Sequence, residues 1–298
     1  MLKLRDVEVL DTFAEAFPMA GVRLVITAIT DRWAETAARE FCGNASSVIG
    51  CNAEAAIEGV VSAEETPDGR PGVKVLAFAF DDKKLEKAVQ SRVGQNVLTC
   101  PTTACYDGLE GELQSSRISV GGGLRYFGDG MQSSKKLGEH RYWRVPVMDG
   151  EFVCDDRFGV CKGVGGGNLL LCGVDIEQTL TAAEAAVAAV GEVSGCILPF
   201  PGGIVRAGSK VGSKYDKLPA STNDPYCPSV RALTESSLPV DCNCVYELVI
   251  DGVSFEAVQS GMRAGLHAAC ETDGLLRVTA GNYGGKLGKH HFHLRDLL

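Results

Sequence analysis

VRLVITAITDRWAETAAREFCGNASSVIGC, residues 22–51, contains the pattern that decides the fold. A run rich in valine and isoleucine is followed by apolar residues at helical spacing, and then by a second short apolar run. This order predicts a strand, a helix from Asp31 to Phe41, and a second strand. Asp31 is a plausible helix N-cap and Gly43 a helix stop. The stretch therefore predicts a βαβ unit.

The same strand–helix–strand order recurs in the rest of the chain. It is found in three further segments, which run from GVKVLAFAF (72–80) through a helix starting at Asp81 or Asp82 to NVLTC (96–100), from NLLLCGV (168–174) through TAAEAAVAAVGEV (181–193) to GCILPF (195–200), and from CVYELVI (244–250) through FEAVQSGMRAGLHAAC (255–270) to GLLRVTA (274–280). The first and third units resemble each other in order and length, as do the second and fourth. This pattern indicates an internal duplication with two units in each half.

Two successive βαβ units can form an antiparallel sheet with both helices on one face, the ferredoxin-like or split βαβ plan. Packing two such lobes together would cover the faces that each leaves open. Between the halves, from about Leu109 to Gly167, alternating residues and Asp-Gly turns at 129–130 and 149–150 predict a β-meander. We therefore predict an α+β protein with two ferredoxin-like lobes, 1–145 and 146–298, and an inserted β-meander.

The charge balance excludes some classes of protein. The chain has 298 residues, with 29 Lys and Arg against 38 Asp and Glu, and a net charge of −9. This argues against general nucleic-acid binding. No apolar run approaches the roughly 18 residues of a membrane span, and the start, MLKLRDVEVLD, is unlike a signal peptide. We expect a cytoplasmic protein with neither nucleic-acid nor membrane partners.

The 12 cysteines are the other compositional feature. No C-x-x-C pair occurs, and most of the cysteines lie inside apolar runs such as LLLCG. Ligand spacings for a metal or an iron–sulfur cluster are therefore missing. We predict buried free thiols and no metal site.

PFPGGIVRAGSKVGSKYDKLPASTND, residues 199–224, breaks both the helical and the strand period. Its glycines would let a backbone approach a ligand closely. Its four cations, Arg206, Lys210, Lys214 and Lys217, indicate a ligand with negative charge. A long loop of this kind is typical of a binding segment. A second glycine-rich loop, GNYGGKLGKH (281–290), holds the corresponding place after the fourth unit. Both could flank one cleft, with ordinary turns as the alternative.

Neither glycine pattern fits a nucleotide. In a dinucleotide or phosphate loop the glycines follow a strand and open a helix. VGGGN (164–168) precedes a strand instead, and GGIVRAGSK lacks the spacing of a P-loop.

Three acidic or histidine positions are candidates for chemistry. Glu247 alternates with Val245 and Val249 in a strand, and a carboxylate on an apolar face has its pKa raised towards neutral, as a general acid–base requires. The alternative is a glutamate on an edge strand, whose side chain is either solvated or paired with a lysine. Glu15 in DTFAEAF has either a site role or a place in a helical capping box. The histidines of HHFHL (290–294) are expected to be solvated rather than metal-bound.

A set of long motifs carries a resemblance to a known family. They are DTFAEAF (11–17), SSVIGC with AEAAIE (46–58), EETPDGRPGV (64–73), GQNVLTCPTTA (94–104), MDGEF (148–152), AAEAAV (182–187), PFPGGIV (199–205), GSKVGSKYDKLPASTND (208–224), VYELVIDG (245–252) and AGNYGGKLGKH (280–290). In this order they resemble the formylmethanofuran:tetrahydromethanopterin formyltransferases nearly end to end. FGDGMQSSKKLG and RYWRVPVMDGEFVCDD are closer to the branch of methylotrophic bacteria.

The resemblance implies two ferredoxin-like lobes, no metal and no prosthetic group. Its co-substrates would be tetrahydromethanopterin and methanofuran or methylofuran. It implies a homo-oligomer, a dimer or tetramer, with the active site at a subunit interface. In the bacterial branch it also implies a subunit of a formyltransferase/hydrolase complex. Asn96 replaces a usual cysteine, so that position is not expected to be chemical.

The family's proposed catalytic glutamate falls on Glu247. The residues that we expect to bind substrate are Gly202, Gly203, Ser209, Lys210, Lys214, Ser221, Thr222, Asn223, Tyr246, Asn282 and Lys286. The expected activity is reversible formyl transfer between formylmethanofuran and N5 of tetrahydromethanopterin, by direct acyl transfer. A non-catalytic pterin-binding or scaffold subunit is the alternative.

Overall fold

A computed structural model describes residues 2–138 and 140–298. Its chain forms a mixed α/β fold with two compact units. Unit 1 contains the chain up to Pro18, Val164–Asp251 and Phe255–Leu298. Unit 2 contains Met19–Gly163 and Gly252–Ser254. The N-terminal segment thus groups with the C-terminal part of the sequence.

The regular elements of the described residues are numbered in chain order. The strands are β1 (Leu2–Leu4), β2 (Val7–Val9), β3 (Phe13–Thr27), β4 (Glu54–Val61), β5 (Gly72–Ala79), β6 (Ala104–Asp107), β7 (Ser116–Ser119), β8 (Ser133–Leu137), β9 (His140–Val147), β10 (Gly150–Asp155), β11 (Arg157–Gly173), β12 (Cys196–Ile197), β13 (Lys210–Val211), β14 (Ala220–Ser221), β15 (Cys244–Gly252), β16 (Leu275–Thr279) and β17 (His290–His293). The helices are α1 (Asp31–Cys42), α2 (Asp82–Arg92), α3 (Gly121–Leu124), α4 (Ile176–Gly191) and α5 (Phe255–Ala269).

Unit 2 is built on strands in the order β4-β5-β3-β6-β10-β9-β8. Neighbours are antiparallel except for β6 and β10, which are parallel. The last three strands form the predicted meander, with a turn before Gly150. The core is filled by fully buried side chains that include Phe41, Leu85 and Phe152. Burial of each such side chain contributes roughly 1.5–3 kcal/mol.

Unit 1 has the strand order β12-β15-β11-β16-β2-β1, and β17 pairs with β3. Helices α4 and α5 pack together, and Gly261 and Gly265 of α5 face Val190 of α4. A Cβ atom added at Gly265 of α5 would meet Val190 of α4 at 3.1 Å, so a larger side chain would push the helices apart. Leu169, Leu248 and Leu266 are fully buried in this core.

Two predicted strands are wrong. The segment 46–51 forms turns, in which the amides of Gly50 and Cys51 donate to the carbonyl of Ser47, and the strand begins only at Glu54. Residues 93–97 extend the end of α2 as a wider turn because Val93 and Val97 continue its buried face. The strand of this unit is β6 instead.

The helical interpretation of DTFAEAF is also wrong. Residues from Phe13 onwards belong to β3, and Glu15 lies opposite His291 of β17. Thr12 therefore does not cap a helix here. Pairing with a strand at the far end of the sequence outweighs the local helical spacing.

The described cysteines are all free, and eight of them are buried. Within the described chain, no helix is both long enough and apolar enough to span a bilayer.

Candidate active site

Glu247 lies on the outer face of β15 in unit 1. Leu248 and Ile250 point to the core, whereas Val245, Glu247 and Val249 share the opposite, half-buried face. Burial raises the pKa of Glu247 from 4.5 to about 7. Within residues 2–138 and 140–298, no group donates a hydrogen bond to its carboxylate. This carboxyl can therefore take up or release a proton near neutral pH.

The first part of the 199–224 run is fixed beside Glu247. The Val205 amide donates to the Glu247 carbonyl at 2.7 Å, and the Glu247 amide donates to the Val205 carbonyl at 3.0 Å. Just before this bridge, Gly202 and Gly203 have φ values of 64° and 78°. These left-handed conformations favour glycine. The Gly203 amide donates to the Phe200 carbonyl at 2.8 Å. This hydrogen bond stabilises the turn, so the amide is already occupied.

The second glycine-rich loop closes around a buried carboxylate, Glu15. Its side chain is 2% exposed. It accepts four backbone N–H groups, from Tyr283 (2.6 Å), Gly285 (2.9 Å), Leu287 (2.5 Å) and Gly288 (2.6 Å). Burial alone would raise the pKa of Glu15, but these donors together hold it below its usual value. An ionised Glu15 thus shapes the loop.

Tyr283 brings this loop into the environment of Glu247. Burial raises the pKa of Tyr283, and the charges of Glu247 and Glu15 raise it further. Its hydroxyl is therefore protonated at neutral pH and can donate a hydrogen bond. The sequence predicts a binding role for this loop but does not single out Tyr283. The sequence feature that could have indicated Tyr283 is an aromatic residue between the glycines of GNYGG (281–285).

Asn282 and Lys286, the two residues predicted from this loop, differ in what they do. The Asn282 amide donates to Thr12 Oγ1 and to the Phe13 carbonyl, both at 3.1 Å. Its side chain thus ties the loop to the start of β3. Lys286 is exposed.

Tyr246 lies on the face of β15 opposite to Glu247. It packs against the core of unit 1. Burial and the neighbouring Cys244 raise the pKa of its hydroxyl. Val205, Glu247 and Tyr283 thus belong to one environment in the structure. Tyr246 lies on the other face of β15, towards the core.

The remaining predicted residues surround a small hairpin of β13 and β14, in which Lys210 pairs with Ser221. Ser221 Oγ donates to the Gly212 carbonyl at 2.7 Å. The Lys210 ammonium forms an ion pair with Asp224. Ser209, Lys214 and Thr222 are exposed, and Asn223 is half-buried. Among the described residues, no hydrogen bond or ion pair joins this group to the Glu247 side chain, so the run divides into a part bridged to Glu247 and a separate hairpin.

Two family models match the chain almost end to end. Residues 2–147 match "Formylmethanofuran-tetrahydromethanopterin formyltransferase", and residues 150–297 match "FTR, proximal lobe". A relative of the first name from Rhodopirellula baltica is 51% identical, with 100% of this chain and 93% of that protein covered. A subunit of the formyltransferase/hydrolase complex of Methylorubrum extorquens is 53% identical, with 99% of this chain and 97% of that protein covered.

Two solved structures of this family match the whole chain. The formyltransferase/hydrolase complex of Methylorubrum extorquens in complex with methylofuran contains a chain that matches with a TM-score of 0.96 and 52% identity, covering 100% of this chain and 98% of that chain. The Methanosarcina barkeri enzyme matches with a TM-score of 0.93, 45% identity and full coverage of both chains. These matches define a formyltransferase. The chain belongs to the formylmethanofuran–tetrahydromethanopterin formyltransferase family, so the resemblance is confirmed.

Proposed function

We propose that the chain catalyses reversible formyl transfer between formylmethanofuran, or its methylofuran counterpart, and N5 of tetrahydromethanopterin. The observation that carries the proposal is the half-buried Glu247, whose pKa of about 7 suits proton transfer at neutral pH, in a member of this family. Tetrahydromethanopterin and the furan carrier are co-substrates, and no tightly bound cofactor is needed.

The proposed chemistry is acyl transfer without a covalent enzyme intermediate. Pterin N5 attacks the formamide carbon, so that a C–N bond forms and the carbonyl oxygen becomes an oxyanion. The bond to the furan amine then breaks as the carbonyl returns. N5 loses a proton and the leaving amine gains one. Glu247 is the group that takes up the first proton and delivers the second.

Positioning of two carriers is the other contribution that this reaction requires. The glycine-rich loops and the hydroxyl and amide residues of 199–224 supply the walls in this proposal. The protonated Tyr283 hydroxyl is a donor for the developing oxyanion. In this proposal the furan carrier has a tail that carries glutamate carboxylates, and the exposed cations Lys210 and Lys214 at the hairpin bind it by charge.

The proposal includes an internal duplication of ferredoxin-like lobes, divided near residue 145. Matches at 2–147 and 150–297 support that boundary. The strand order β6-β3-β5-β4 in unit 2 corresponds to β16-β11-β15-β12 in unit 1, with a helix after the first and third strands in sequence. Both orders agree with the split βαβ plan.

We also propose that the protein is cytoplasmic and works as a homo-oligomer or with formyltransferase/hydrolase partner subunits. The match to a chain of such a complex supports the second possibility. Activity that appears only with partner subunits would support complex formation. A pterin-binding protein with no transfer under either condition would support the non-catalytic alternative.

The substitution Glu247→Gln tests the catalytic role in a purified assay with both carriers. We expect transfer to fall at least about 100-fold, because a general acid–base group contributes 10²–10⁴-fold. Glu256→Gln, on an exposed position of α5, is the matched control and should retain activity. A rate for Glu247→Gln within about threefold of wild type would exclude proton transfer by this residue.

A further inference from the structure

Unit 2 contains a basic cavity that the proposed reaction does not use. Its volume is about 230 Å³, and it is lined by Arg117, Lys136, His140, Arg141, Asp155, Asp156 and Arg157. All of these residues belong to unit 2, whereas Glu247 belongs to unit 1. The four Arg and Lys side chains outnumber the two carboxylates. This excess is local, since the whole chain has a net charge of −9.

The strand registers bring cations together in pairs at this cavity. Lys136 of β8 lies directly opposite Arg141 of β9. In the β7–β11 ladder, Arg117 lies opposite Gly159, and Arg157 lies opposite Ser119. Arg117 and Arg157 are therefore diagonal neighbours on one face. Like charges opposite each other destabilise a sheet. Lys136 and Arg141 form such a pair, and the diagonal Arg117 and Arg157 add to the positive charge, so a negative charge at this cavity would give compensation to four cations.

The cavity's own carboxylates do not supply that compensation. Among the described residues, neither forms an ion pair with any of the four cations. Asp155 accepts the Asp107 amide at 2.9 Å and lies 3.4 Å from His140 Nδ1. Asp156 accepts the Trp143 indole N–H at 2.7 Å. Both are thus held by other donors.

In the described chain, the side-chain hydrogen bonds that these cations donate go to neutral groups, and the Asp107 carboxylate interacts with Arg117 through its charge. Arg117 Nε donates to Gln114 Oε1 at 3.1 Å, and Arg141 Nη1 donates to Ser134 Oγ at 2.8 Å. Each guanidinium keeps further N–H groups for a ligand, because arginine has five donors. Planar guanidinium groups suit the paired oxygens of phosphate or carboxylate.

We propose that this cavity binds a small dianion, a phosphate or a dicarboxylate, held by Arg117, Arg157, Lys136 and Arg141. A volume of 230 Å³ exceeds that of several waters, at about 30 Å³ each, so the anion has room for a small organic part. All of its residues belong to unit 2, and the site takes a ligand by charge and geometry.

Isothermal titration of the full chain with inorganic phosphate and with succinate, at matched low ionic strength, tests the proposal. We expect saturable binding of at least one dianion with a Kd of about 1 mM or tighter. Phosphate binding alone would assign the site to phosphate esters, and succinate binding alone to dicarboxylates. Absence of saturable binding by both up to about 10 mM would overturn the proposal.

Variants locate the binding. Arg117→Gln and Arg157→Gln should each weaken it about tenfold, the effect of one lost charged hydrogen-bond partner. Arg157→Lys, which keeps the charge, should weaken it less. Arg32→Gln, on an exposed position of α1, is the matched control and should bind as wild type does. Equal weakening in Arg32→Gln would show non-specific attraction and overturn the site.

Stability without ligand gives a second measurement. Because each Gln variant relieves a like-charge pair, its melting temperature without anion should equal or exceed that of wild type. The phosphate- or succinate-induced rise in melting temperature should shrink in both variants. A ligand-free decrease of more than about 4 °C would contradict the like-charge argument.

Discussion

The Tyr283 amide donates a 2.6 Å hydrogen bond to Oε2 of Glu15, a residue 268 positions earlier in the chain. Three more amides of the same loop donate to this carboxylate. The loop that carries Tyr283 is therefore held by one buried charge from β3. A defect at Glu15 should appear both as lost stability and as lost transfer activity.

Glu15→Gln should destabilise unit 1 by about 3 kcal/mol or more. The amide keeps one acceptor oxygen and brings an NH₂ group towards backbone donors, so that buried N–H groups lose their partners at roughly 1–3 kcal/mol each. Urea unfolding measures the change, with Glu256→Gln as the exposed control. A loss below about 0.5 kcal/mol, as for an ordinary surface change, would contradict the role of Glu15.

The pH dependence of stability should reveal Glu247. Because its folded pKa of about 7 lies above the usual 4.5, the unfolded state releases its proton first as pH rises. Its contribution to the unfolding free energy therefore falls between pH 4.5 and 7, by up to about 3 kcal/mol. Glu247→Gln should remove this decline, so its stability relative to wild type should increase over that range.

The measurement is urea unfolding of both proteins at pH 5 and pH 7. Glu256→Gln should follow wild type at both values. If the difference between Glu247→Gln and wild type is the same at pH 5 and pH 7, Glu247 does not have the raised pKa.

The two glycines before Val205 should respond differently to alanine. Both have positive φ, which costs roughly 1–2 kcal/mol for a residue with a Cβ atom. At Gly202 a Cβ atom would enter open space, but at Gly203 it would lie 2.9 Å from Val187 Cγ2. Gly203→Ala should therefore be the more destabilising substitution by at least about 1 kcal/mol. Equal melting temperatures for the two variants would refute the steric argument.

Local patterns were sufficient for the existence of the four long helices and for the face of Glu247, although α4 begins at Ile176, ahead of the predicted segment 181–193. The alternation of Val245, Glu247 and Val249 predicts the half-buried face of β15, and the structure has it. Local patterns were insufficient at SSVIGC, because turn hydrogen bonds to Ser47 outweigh the apolar character of Val48 and Ile49. Short apolar runs of this kind fit either a strand or a turn.

Glu15 shows why part of the candidate site could not be predicted. The groups that donate hydrogen bonds to its carboxylate are backbone amides of residues 283–288. These amides have no sequence signature beyond the glycines. The pairing of β3 with β17 that brings them together is between the two ends of the chain. The membership of residues up to Pro18 in unit 1 has the same long-range origin.

Lys214 should contribute more than Lys210 to binding of the furan carrier. Lys210 is already paired with Asp224, whereas Lys214 is exposed and forms no ion pair with another described residue. Lys214→Ala should raise the KM for the formylated furan carrier severalfold, and this effect should shrink at high salt because screening weakens exposed charges. Lys210→Ala should have the smaller effect, because the Asp224 carboxylate already occupies the Lys210 ammonium as its partner. Steady-state kinetics at low and high salt measure both, with exposed Lys83→Ala as the control. Unchanged KM values for both variants would place the carrier's tail elsewhere.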